Sequence, residues 1–300
     1  MSCHANSKVG RGNARRDWIS STLISVTSFL RGLPLFLSAR PKTPLRVLCV
    51  MAFDTLHMLR HSKRLPIGKL RTLAALLDFG ACANAICDDK EFCWREFRTT
   101  RQLLDDAGIH SSVVDFLRRL RELETRRPPL GGDHKQFHEV ESYREAIVRL
   151  SLGMVATTAI GNQCLDEGVG ATYSDDDLEI LFRIVMQCQI IDDVLDYSKD
   201  MSAGLPSFLT ASESLPQAFE LTRLAALGYA DNRNLPRTGD VFPLRLALFV
   251  VSTCTKLVIL LGRWRQRVHF VQPLPECIYR RRLLIPDASP KFPSSITSRW

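Results

Sequence analysis

Apolar positions recur at three- and four-residue intervals along most of this chain and nowhere alternate over a strand-length run, so the pattern predicts helices throughout. A first apolar segment, 18–37, is interrupted by Gly32 and Pro34. Pro41 and Pro44 separate it from a helix over 47–60, and a loop over 61–68 carries Pro66. A long helix is predicted over 69–104. Its apolar face runs through Leu70, Leu73, Leu77 and Ala81, then meets Asn84, Asp88 and Glu91. After a turn around Gly108, a helix covers 111–125, and Pro128, Pro129, Gly131 and Gly132 mark the clearest central loop. A helix over 141–162 is rich in small residues, among them Ser151, Gly153, Ala156 and Gly161. Ser174 reads as the cap of the next helix, which runs on to Asp200 before Gly204 and Pro206 end it. Helices over 214–228 and 244–264 follow. There is no internal repeat. The expectation is an all-α, single-domain bundle of about seven or eight helices over 18–265. A disordered basic lead (1–17) precedes it, and an irregular proline- and arginine-rich tail (266–300) follows.

One stretch breaks the apolar logic of its helix. In 189–200 the sequence reads Gln-Ile-Ile-Asp-Asp-Val-Leu-Asp-Tyr-Ser-Lys-Asp. Stepping back from Asp193 by helical spacing passes Gln189, Met186 and Phe182; from Asp192 it passes Cys188, Val185, Leu181 and Leu178. Asp192 and Asp193 therefore continue the core-facing side, with Asp196 one turn further on. Acids there are expensive unless something positive meets them, and clustered carboxylates are the ligands of a hard divalent cation. Asp175, Asp176 and Asp177 read differently, because acids in a first turn complement the helix dipole.

The 300 residues are 45% hydrophobic, enough for a substantial core. The net charge of +8 lies largely in basic ends, which lack the aromatic interleaving of a nucleic-acid surface, so no nucleic-acid partner is expected. Nine scattered cysteines without CxxC spacing fit a reduced, cytoplasmic setting. No secretory signal is evident, and Arg31, Gly32 and Pro34 break the first apolar segment. The stretch 244–261 is long enough to raise a membrane question. Arg245, Ser252 and Lys256 fall on one side of it, which reads as a two-sided helix of a soluble bundle, with no integral membrane span.

A second acidic group comprises Asn84, Asp88, Asp89 and Glu91, roughly a hundred residues before the first. Two helices that are apolar along their length and end in inward carboxylates can face each other across a cavity mouth. Such a pair makes a multi-metal clamp for a diphosphate.

The 189–197 stretch resembles the second aspartate-rich motif of the trans-prenyl diphosphate synthases. The wider arrangement, over about 45–265, resembles the class I isoprenoid synthase superfamily of prenyltransferases, squalene and phytoene synthases and terpene cyclases. The resemblance implies an all-α bundle of that type binding three magnesium ions and a prenyl diphosphate, whose loss of diphosphate leaves an allylic carbocation. It implies metal ligation by Asp88, Asp89, Glu91, Asp192, Asp193 and Asp196, with Asp88, Asp192 and Asp193 central to catalysis. The first motif departs from the family pattern, since Phe92 stands where a final aspartate is expected, leaving Glu91 or Glu96 to substitute. Lys63 and Arg64 resemble the basic motif for a second substrate without its glycines, and the asparagine–serine–glutamate triad of many cyclases is absent.

A leaving diphosphate needs its growing charge neutralised, which points to Arg144, Arg149 and Lys199, with Gln189 beside them, as substrate-binding residues. Arg245 and Lys256 are weaker candidates. The cation needs a dry, apolar wall, for which Phe53, Phe79, Met154, Phe182 and Met186 are candidates, although each also suits ordinary core packing. The expected activity is that of a terpene synthase acting on one prenyl diphosphate in the cytoplasm, and a homodimer is allowed. The alternatives are a prenyltransferase, chain-elongating or coupling two prenyl units, and a non-catalytic prenyl-binding helical protein.

Overall fold

The structure is a computed structural model that describes Leu23, Thr27 and residues 44–87, 94–129, 134–160, 176–212, 214–230 and 242–269. These form α1 (Pro44–His61), α2 (Ile67–Cys87), α3 (Trp94–Asp106), α4 (His110–Glu124), α5 (His134–Ile160), α6 (Asp176–Leu195), α7 (Tyr197–Ala203), α8 (Leu215–Ala230) and α9 (Phe242–His269). There is no strand among the described residues, so the all-α expectation holds. The lead over 1–17, the first apolar segment 18–37 apart from Leu23 and Thr27, and the tail beyond 269 lie outside the described residues; 266–269, expected to be irregular, continue α9.

The largest departures from the expected helix boundaries are three. The long helix over 69–104 is two helices, α2 and α3, with 88–93 outside the described residues. Helix α5 starts at His134, earlier than 141, because its first turns already bury Phe137 and Val140. The helix expected to run unbroken to Asp200 stops at Leu195. Asp196 takes φ −97° and ψ 10°, and its carbonyl accepts the N–H groups of Lys199 and Asp200 to open α7. Gly204, at φ +70°, closes α7 in the left-handed region that glycine adopts without strain.

Helix α6 is the centre of the bundle, packing on α5, α8 and α9. Arg144 of α5 reaches Asp193 while Arg149 reaches Glu179, so α5 and α6 run antiparallel. Gln187 of α6 donates to the carbonyl of Ala226, and Phe182 meets Tyr229 edge-on, so α8 is antiparallel to α6 too. Helix α9 runs parallel to α6: Thr255 donates to the carbonyl of Gln187, and Gly262 lies against Val194. Gly262 is small for a reason, since a Cβ there would stand 3.0 Å from the Phe219 ring and 3.1 Å from Val194. The core between these helices contains Leu178, Ile180, Phe182, Met186 and Ile190 of α6, with Ala218 of α8 and Leu248 and Ile259 of α9.

The segment 205–212 is not helical, yet every residue in it is buried. A buried loop must satisfy its backbone polar groups internally. Thr210 Oγ1 accepts the Ser207 N–H at 2.7 Å and donates to the Leu205 carbonyl at 2.9 Å. The Phe208 N–H is taken by Asp193.

Candidate functional site

The last turn of α6 carries the aspartates singled out by sequence, and it separates them. Asp193 is buried and Asp192 is exposed. The two neighbours point about 100° apart on the helix, so only one of them can follow the core-facing side. For Asp193 the expectation holds, since Phe182 and Met186 on its stripe are buried. For Asp192 it is corrected: Leu178 and Leu181 are buried, but the stripe emerges into solvent before it reaches Asp192.

Asp193 sits in a net of donors. Its Oδ1 accepts from Arg144 Nη2 at 3.0 Å and from Gln189 Nε2 at 2.9 Å. Its Oδ2 accepts the backbone N–H of Phe208 at 2.8 Å. The carboxylate thus joins α5, α6 and the buried loop. A buried charge persists because an opposite charge and further donors meet it, and Asp193 has both. The spacing of Gln189 and Asp193, four apart on one helix, made that contact predictable.

Asp196 stands at the helix break and pairs with Lys199 at 2.5 Å. Lys199 is exposed, and its hydrogen bond to the Asp196 carboxylate holds its ammonium above the usual lysine range. Gln189, Arg144, Asp193, Asp192, Asp196 and Lys199 therefore all lie at or beside one end of α6. Arg149 does not join them. Its guanidinium bonds Glu179 at 3.5 Å, in the first turn of α6, and lies 3.7 Å over the Phe182 ring. One face of Phe182 is thereby taken by a protein cation and is not presented to a substrate cation. Phe53, Phe79, Met154, Phe182 and Met186 are all buried in the core.

Asp88, Asp89 and Glu91 lie outside the described residues. Helix α2 ends at Cys87, directly before them, and Asn84 on its last turn is exposed. Asp175, too, lies outside the described residues, while Asp176, Asp177 and Glu179 occupy the first turn of α6. Arg64 is engaged by the buried Asp54 at 3.0 Å and by Thr27, and Asp54 also takes the Leu65 N–H. That arginine serves to close the α1–α2 turn.

A magnesium ion asks for hard oxygen ligands, and Asp192 and Asp196 supply that chemistry at the surface. Asp193 fits such a role less well, because three donors already converge on its two oxygens. No group of three or more His, Cys, Asp or Glu side chains poised to hold a metal occurs among the described residues.

Two contacts near the site had no local sequence signal. Tyr229 of α8 places its hydroxyl 2.8 Å from Glu145 and 3.3 Å from Glu141, both on α5. Burial and the two carboxylates push its phenol well above the usual range, so it stays a donor. The Phe208 N–H is the other; a backbone group in a loop leaves no trace in composition. No family model, no curated protein and no solved structure matches this chain.

Proposed function

We propose that this chain ionises an allylic prenyl diphosphate with the help of magnesium, as an isoprenoid-synthase-type enzyme, and quenches or cyclises the resulting cation. The single observation that carries this reading is the convergence of Arg144 and Gln189 on Asp193, next to exposed Asp192, at one end of the central helix. A guanidinium, an amide donor and hard carboxylates brought together at one helix end are the chemistry a diphosphate with its metal ions requires.

Asp192 and Asp196 would hold magnesium, which supplies charge neutralisation on the departing diphosphate. Arg144 binds a phosphoryl oxygen through its guanidinium, and Lys199 supplies a second positive charge from the surface. Asp193 acts on Arg144 and on the Phe208 backbone as a positioning residue, holding α5 and the buried loop in register with α6. Arg149 is left out of this role, since Glu179 and Phe182 hold it elsewhere. The buried apolar side chains of α6 exclude water behind the site.

The test is pyrophosphate release from ten-, fifteen- and twenty-carbon prenyl diphosphates with magnesium, with and without isopentenyl diphosphate, products being read by gas chromatography. Cyclic or alcohol products from one substrate support the terpene synthase reading, and longer diphosphates made only with isopentenyl diphosphate support the prenyltransferase. Asp192→Ala is expected to lower turnover at least about a hundredfold with an unchanged melting temperature, because an exposed acid carries little stability. Wild-type protein that releases no pyrophosphate from any of these substrates overturns the enzymatic proposal and favours the non-catalytic, prenyl-binding reading.

A further inference from the structure

Helix α9 packs one side on α6 and α8 and turns an apolar side outward. Leu246, Phe249, Val250, Leu257, Leu261 and Trp264 are exposed, Phe249, Leu261 and Trp264 by 64%, 63% and 65%. At 100° per residue these positions fall within an arc of about 120°, and the stripe is about 27 Å long. Only 28% of the most apolar 18-residue stretch within Leu244–Gln266 is buried, so this is not the core helix of a bundle. The two-sided pattern expected from sequence is present, but the outward side is apolar rather than polar. Single exposed apolar side chains are ordinary; a stripe of six on one helix, interrupted only by Thr253, marks an interaction surface.

Charge decides what covers it. Every charged side chain on α9 is basic, and the helix has no Asp or Glu. By helical projection exposed Lys256 borders one edge of the stripe and exposed Arg265 the other; Arg245 and Arg263 share the edge of Lys256, but Nε and Nη2 of Arg245 are buried. Arg263 also reaches Glu220 of α8 at 3.3 Å, which ties the helix to the body of the protein. A second copy docked through this face would set basic edge against basic edge with no acid on α9 to pair, and Glu220 beside that edge is already paired with Arg223 and Arg263. The arc is also wider than a coiled-coil seam. An apolar face edged by Lys and Arg, with a tryptophan near its end, is the signature of a helix lying in the headgroup region of an anionic bilayer.

We infer that the outward face of α9 docks this protein, as a peripheral and not a spanning unit, on anionic lipid bilayers. The full chain is mixed with phosphatidylcholine vesicles and with phosphatidylcholine–phosphatidylserine vesicles, and binding is read by co-sedimentation. Binding is expected on the mixed vesicles, weakened by high salt, with a blue shift of tryptophan emission that Trp264→Phe removes. Lys256→Glu and Arg265→Glu are each expected to weaken binding about fivefold. The Phe249→Glu, Leu257→Glu double variant is expected to weaken it at least about tenfold while keeping the wild-type circular dichroism, because both side chains are exposed. Absence of binding overturns the inference. So does a dimer in sedimentation equilibrium that this double variant dissociates, which would make a second copy the occupant. Binding that resists both high salt and alkaline carbonate overturns it as well, in favour of a spanning helix.

Discussion

Replacing Asp193 by alanine is the most direct probe of what holds the α6 end together. The carboxylate is 2% exposed, and it accepts three hydrogen bonds from three separate parts of the chain. Removing it takes a charge partner from Arg144, whose side chain is only 18% exposed. Breaking a buried ion pair from one side destabilises by about 3–5 kcal/mol, and an orphaned buried N–H such as that of Phe208 by about 1–3 kcal/mol. Water reaching Arg144 recovers part of the first figure, so the expected loss is about 4 kcal/mol, a large share of the stability of a typical domain. Urea unfolding followed by circular dichroism should show a midpoint lower by about 1.3 M, with a slope of about 3 kcal/mol/M. Asp193→Asn separates charge from shape. The amide keeps an acceptor for the Phe208 N–H but turns its own donor towards Arg144 or Gln189, so about half the loss should remain. In a double-mutant cycle with Arg144→Met, the two sites should couple by at least about 1.5 kcal/mol. A loss below about 1 kcal/mol for Asp193→Ala, or additive effects in the cycle, would refute the placement of Asp193 as the joint between α5, α6 and the buried loop.

Three further outcomes follow from the packing. Gly262→Val should destabilise by about 1–3 kcal/mol, since even a Cβ at this position crowds Phe219 and Val194; an unchanged urea midpoint would mean that α9 can move away. Gly204→Ala should cost about 1 kcal/mol because φ is +70° there, and a neutral result in the same unfolding assay would remove the left-handed cap. Burial pushes the Cys49 thiol up to about 12 and the Cys188 thiol up to about 11, the charge of Asp192 adding to the second. Both folded values lie above the ordinary thiol value of about 8.5, so their contribution to stability is complete below that pH and is lost as pH rises through about 11 to 12. Stability should therefore decline in that alkaline window, and native alkylation at pH 8 should label exposed Cys254 far ahead of Cys49 and Cys188; equal labelling rates would contradict the burial.

The helical character of this chain and the position of most helices were legible in its order of residues. Apolar spacing of three and four is a local property, and it drew α4, α8 and α9 to within a few residues of their ends. Local spacing also placed Asp193 on the core side and Gln189 beside it. It could not tell Asp192 from Asp193, because which of two adjacent acids is covered depends on where the neighbouring helices stop. The partners of Asp193 from elsewhere, Arg144 and the Phe208 N–H, are 49 and 15 residues away and meet it only once α5 and the buried loop fold back. The same holds for Arg149. Its residue type suited a phosphate, but the antiparallel register of α5 and α6 delivered it to Glu179 and Phe182. For α9 the sequence determined an apolar helix with basic edges, and only the tertiary arrangement decided which side α6 and α8 cover and which is left facing out. Periodicity records which residues share a face; burial depends on what arrives opposite that face, and distant parts of the chain supply it.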